Sequence, residues 1–179
     1  SYNNLIANGR CHFVRHRGSL SDQSLLSLIK WYRVVEGVDF VVLDHISMVL
    51  SGRRSNNERV EIDGLLTDMA ELVEATGVHL IVVAHIKRMQ NKIYVKDSEH
   101  DAEWLYIDLD AARGSGAFEQ LSWSVITLEP EKTEYGERGR TRINLRKNRE
   151  MGARGPCDII RMDAMTGRMI ACEPEESDF

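Results

Sequence analysis

Two aliphatic runs, each ending in polar residues and separated by one long helical stretch, constrain this chain more than any other feature. They are DFVVLDH (39–45) and VHLIVVAH (78–85). An unbroken run rich in β-branched residues predicts a strand covered on both faces, as in a parallel sheet. From about Glu58 to Thr76, Ile62, Leu65, Leu66, Met69, Leu72 and Val73 recur at helical spacing. Gly77 follows where a left-handed residue ends a helix. Strand, helix, strand in this order predicts a right-handed parallel crossover and an α/β fold.

The flanking sequence is less regular. CHFVRH (11–16) alternates and predicts a short strand. Ser21 reads as the N-cap of a helix to about Glu36, with Leu25, Leu26, Ile29, Tyr32 and Val35 on its apolar face and Gly37 closing it. Residues 51–57 (SGRRSNN) read as a polar loop. From Ile86 to Asp110 the pattern weakens, which predicts a long loop, with Tyr94, Trp104 and Tyr106 as core candidates. RGSGAFEQLSW (113–123) reads as a glycine-rich turn entering a short helix. SVITLEPE (124–131) and TRINLRKNR (141–149) read as strands, with Glu129–Arg140 as the polar connection. CDIIRMDAMTGRMIACE (157–173) predicts a terminal hairpin turning near Met165–Gly167. The second half is therefore expected to be more antiparallel than the first.

Bulk properties mainly exclude. The 179 residues fit one domain, taken as 1–172, followed by an acidic tail at 173–179 (EPEESDF). No apolar run reaches the roughly 18 residues of a membrane span. A net charge of −5 argues against a surface coated for duplex DNA, but not against a local nucleic-acid channel. Basic residues cluster at Lys87, Arg88, Lys92 and Lys96, and again from Arg138 to Arg154. Cys11, Cys157 and Cys172 show neither zinc nor disulfide spacing, so a cytoplasmic location is expected.

Four features could carry chemistry. Asp44 ends an aliphatic run, and ligands of open parallel sheets bind beyond strand carboxyl ends. There a carboxylate can hold hydrated magnesium, although a turn or cap role is the commoner use. His85 ends the second run in the same way and could reach the same nucleotide, or serve structure only. The RGSG turn, Arg113–Gly116, offers backbone amides, a hydroxyl and a cation to a phosphate. In KNR (147–149), alternation puts Lys147 and Arg149 on one side, as a solvated basic face or as cations that grip a neighbour's γ-phosphate.

Taken together, LDHISMVLSG (43–52), the stretch from Asn56 to Arg88, RGSGAFEQLS (113–122) and LRKNR with its following glycine loop (145–155) resemble the C-terminal helicase domain of phage primase-helicases of the T-seven type. They are more distantly similar to the DnaB and Twinkle replicative helicases. The resemblance covers nearly the whole chain. It implies a RecA-like fold whose parallel sheet is flanked by helices, with antiparallel strands and a C-terminal hairpin following, and whose first part is missing. It implies a ring, expected to be a hexamer, hydrolysing ATP or dTTP while moving along single-stranded DNA. Asp44 would organise magnesium and His85 sense the γ-phosphate. Lys87, Arg113, Gly114, Ser115 and Gly116 would contact DNA, and Gln120 would be a switch residue. Lys147 and Arg149 would act in trans, and the tail ending in Phe179 would dock on a replicative polymerase. Glu119 stands where the resemblance leads one to expect a basic residue. No GxxxxGK[ST] occurs in the 179 residues, so the phosphate loop and the family's catalytic glutamate are expected upstream. A recombinase-type ATPase and a non-catalytic replisome scaffold are the alternatives.

Overall fold

The computed structural model describes residues 8–14, 22–50, 58–86, 92–97, 101–109, 116–133 and 139–172. The first half is built on β1 (Phe40–Asp44) and β2 (His79–Val83), which pair in parallel with Phe40 opposite His79 and Asp44 opposite Val83. Three helices accompany them: α1 (Asp22–Val34), the one-turn α2 (Ile46–Leu50) and α3 (Glu58–Thr76). The helical spacing read in the sequence is the packing face. Leu25 and Ile29 of α1, Ile46 and Val49 of α2, and Ile62, Leu65, Leu66, Met69 and Leu72 of α3 are buried in one core. Val41, Leu43, Leu80 and Val82 close that core from the sheet side.

The other face of this sheet corrects the expectation of strands covered on both sides. Among the described residues the cover is one-sided: Phe40 is 67% and Val42 62% exposed, with Ile81 and Val83 also exposed beside them. Gly77 does end α3, at φ +65°, and donates to the Val73 carbonyl at 2.8 Å. Arg33 then ties the entrance of the sheet together. It donates to the Thr76 carbonyl at 3.1 Å and to Asp39 at 2.6 Å, so the ends of α1 and α3 meet at the start of β1.

The second half is an antiparallel sheet in the order β5–β6–β7–β8 (Ser124–Pro130, Thr141–Asn148, Gly155–Met162, Met169–Ala171). Its last two strands form the expected terminal hairpin, in which Gly167 at φ +68° donates to the Asp163 carbonyl. The short helix α4 (Ala117–Leu121) buries Phe118 in the first core, so it joins the two halves.

Three further expectations are corrected. Residues 11–14 form no strand. The alternation there finds no partner ladder among the described residues, and His12 packs instead against Tyr32 at 5.2 Å. The stretch read as a long loop contains a hairpin, β3 (Tyr94–Asp97) with β4 (Ala102–Leu105). Its strands are too short and too charged to announce themselves by period. Glu129, read both within the 124–131 strand and as the start of the polar connection, belongs to the strand, β5, and is fully buried. Ser21, residues 51–57 and residues 15–16 of the first predicted strand lie outside the described residues.

Candidate functional site

The parallel register sets the first cluster. Asp44 is the last residue of β1 and faces Val83; His85 follows two residues later, so both lie at the carboxyl end of the same sheet. His45 completes the group. Its ring meets the His85 ring edge-on, with centroids 4.3 Å apart and planes at 72°, and its Nδ1 lies 3.7 Å from Asp44 Oδ1. The Asp44 carboxylate is open to solvent, its side chain 74% exposed. His45 went unremarked in the sequence, since a histidine beside a strand-end aspartate carries no spacing signal.

Magnesium is the ion a strand-end aspartate would serve. It keeps several waters and takes one or two carboxylates plus substrate phosphates, not a dedicated cage. One exposed carboxylate fits that mode. Among the described residues no group of three or more His, Cys, Asp or Glu gathers to hold a metal by itself.

The second cluster lies at the end of β6. Lys147 and Arg149 share a side, as alternation requires, and both reach α4. The Lys147 ammonium donates to the Glu119 carbonyl and the Arg149 guanidinium to the Gln120 carbonyl. These are among the last carbonyls of a helix, which have no partner within it and carry negative partial charge. The Arg149 guanidinium also lies over the Trp123 ring, 5.5 Å from its centre. Partial burial lowers the Lys147 pKa first, the Arg149 charge lowers it further, and Glu119 opposes both. Arg149 remains exposed. Asn148 turns its side chain back to accept the Glu150 and Met151 amides, each at 3.1 Å, and so sets the bend that follows.

Gln120 is exposed on α4, and its backbone N–H donates to the Gly116 carbonyl at 2.9 Å. Gly116 therefore starts the helix whose other end receives the two cations. Lys87, Arg113, Gly114, Ser115 and the tail with Phe179 lie outside the described residues.

The basic stretch from Arg138 to Arg154 is not one nucleic-acid surface. Three of its arginines are committed internally. Glu129 accepts from Arg142 at 2.8 and 3.1 Å, from Asn144 at 3.2 Å, from Thr127 at 2.9 Å, and from Arg146. Arg140 pairs with Glu131 at 2.8 Å. Arg140 and Arg142 stack on the fully buried Trp104 at 5.7 and 5.5 Å, which fastens the β3–β4 hairpin to the sheet. Burial pushes the Glu129 pKa up, but the Arg142, Asn144 and Thr127 hydrogen bonds and the Arg146 charge outweigh it, leaving the carboxyl below its ordinary value.

Two comparisons bear on this arrangement. A family model described as an AAA domain matches residues 7–91, the segment that holds α1, β1, α3, β2, Asp44 and His85. The DNA helicase/primase of Enterobacteria phage T3 is 34% identical over 128 residues, covering 72% of this chain and 22% of that protein. The chain thus spans about a fifth of that relative's length.

Proposed function

From the premise that this chain is homologous to part of a phage DNA helicase/primase, we propose that it is a segment of a RecA-like motor. The motor couples hydrolysis of ATP or dTTP to movement along single-stranded DNA and to duplex unwinding in replication. The observation that carries this reading is the convergence of Asp44 and His85 at one sheet end, inside the segment matched as an AAA domain. The phosphate-binding loop is supplied by polypeptide outside these residues, since no GxxxxGK[ST] occurs within them.

Each residue has a distinct task in this reading. Magnesium, when bound, neutralises charge developing on the β- and γ-phosphates. Asp44 is the carboxylate that would hold the hydrated ion. His85, held edge-on by His45, hydrogen-bonds toward the terminal phosphate and registers its loss. Lys147 and Arg149 come from the neighbouring subunit of a closed ring, a hexamer in this proposal, where heterologous contacts repeat around the cycle. The RGSG turn and Lys87 hold DNA phosphates in a salt-sensitive, sequence-tolerant way. Gln120, on the helix that follows the turn, relays between DNA and nucleotide. The acidic tail ending in Phe179 docks on a polymerase.

The test is Arg149→Ala in the full natural polypeptide that carries these residues. Turnover should fall by about 10³-fold or more, the range for a trans-acting arginine, while nucleotide binding measured separately persists. Retained turnover would remove Arg149 from the role. A non-catalytic subunit-contact role is the second reading, favoured by the hydrogen bonds that Lys147 and Arg149 make to α4 of their own chain. It requires that the unsubstituted polypeptide itself show no DNA-stimulated turnover.

A further inference from the structure

We infer that Trp123 is a positioning residue for Arg149, and that the ring together with the last carbonyls of α4 forms a dock that pre-orders both trans-acting cations. The inference rests on the trans-acting reading and adds to it a residue and a mechanism. Trp123 sits between α4 and β5 and is 62% exposed, so burial of its ring does not explain it. The Arg149 amide donates to the Trp123 carbonyl at 2.8 Å, one step beyond the Ser124–Asn148 pair of the β5–β6 ladder. That bond fixes the two residues side by side whatever the side chains do. The guanidinium then lies over the ring at 5.5 Å and donates to the Gln120 carbonyl, while Lys147 donates to the Glu119 carbonyl.

The physical consequence is preorganisation. A free arginine at a strand end samples many rotamers, and ordering it on an incoming phosphate costs entropy. An aromatic ring beneath the guanidinium attracts its charge without consuming an N–H donor, because a cation–π contact is an electrostatic attraction to the ring and not a hydrogen bond. The bond to Gln120 uses one of five N–H donors, which leaves donors for an anion. The same dock connects the cations to α4, and α4 begins at Gly116.

The experiment is steady-state hydrolysis by the full natural polypeptide with Trp123 replaced in three ways. Trp123→Ala should lower kcat roughly two- to fivefold, the strength of an exposed cation–π contact, with KM for the nucleotide unchanged and the melting temperature matched. Trp123→Phe should restore kcat, and Trp123→Leu, which keeps apolar bulk without a π face, should not. An unchanged kcat in Trp123→Ala, a KM that rises in step with the fall, or full activity in Trp123→Leu would overturn the inference. Should the alanine variant not fold, the phenylalanine and leucine pair decides by itself. Arg149→Ala separates the two levels. If it retains turnover, the trans-acting reading fails; if it is inactive while Trp123→Ala is unaffected, only the dock fails.

Discussion

The two halves of this chain reach order by different physics. Between β1, β2, α1 and α3 the core contacts are hydrocarbon: Leu25, Ile29, Ile62, Leu65 and Met69 are buried together, and the Arg33–Asp39 tie lies at the edge of that core. Around β5, β6 and the β3–β4 hairpin a fully buried glutamate collects Arg142, Arg146, Asn144 and Thr127, and the arginines lie across Trp104 and Tyr106. Aliphatic packing is non-directional and tolerates neighbours of roughly the right size. A buried ionic network is directional, and each member depends on the others. The first half is therefore suited to carrying strand ends at a fixed spacing. The second fixes which strand lies where, and holds Lys147 and Arg149 at the end of β6.

The sharpest way to break this contrast is to remove one member from each side. Glu129→Gln should cost about 3 kcal/mol, since it leaves the part-buried Arg146 without its carboxylate and the buried Arg142 with only Asp97, 3.8 Å away; chemical denaturation measures it. Leu65→Ala, at a fully buried site, should cost about 2–5 kcal/mol through a cavity. The difference lies in rescue. Exchanging Glu129, Arg142 and Arg146 together for apolar residues of similar volume, with Asp97→Asn so that no carboxylate is left facing the lost Arg142, should recover most of the loss, whereas nothing beside Leu65 offers an equivalent exchange. If the combined variant is no better than Glu129→Gln, the network is not held by mutual charge.

A smaller effect sharpens the same comparison through pH. The folded-state pKa of Glu129 lies below its ordinary value of 4.5, so its contribution is complete above that value. It is lost progressively as pH falls from that value through the depressed folded one, because over that interval the unfolded chain takes up the proton and the folded form does not. Stability should therefore decline on the acid side, and Glu129→Gln should flatten that decline. An acid limb of unchanged slope in the variant would assign the loss to other carboxylates.

How much was legible in the sequence follows the same division. Helical spacing at Ile62, Leu65, Leu66 and Met69, and the two aliphatic runs, reveal α3, β1 and β2 to within a residue or two, because hydrocarbon burial imposes a period. Asp44 is readable as a strand end for that reason, whereas His85, read as the end of its run, lies two residues beyond β2. The β3–β4 hairpin was not readable, because strands of four residues that mix Lys96, Asp97 and Glu103 with apolar positions leave no period to read. The Glu129 network was hidden in plain composition. Arg140, Arg142 and Arg146 looked like part of a basic surface until strand pairing brought Glu129 and Glu131 opposite them. The dock of Lys147 and Arg149 on α4 escaped for a similar reason. It joins residues 28 and 29 positions apart through backbone carbonyls, which no side-chain pattern encodes.

The one-sided cover of β1 and β2 has a practical consequence at the bench. Phe40, Val42, Ile81 and Val83 together offer water a flat, greasy panel on a two-stranded ribbon, and such panels invite self-association. Purified by themselves, these 179 residues should scatter light increasingly with concentration and brighten a hydrophobic dye, and Val42→Lys should quieten both signals.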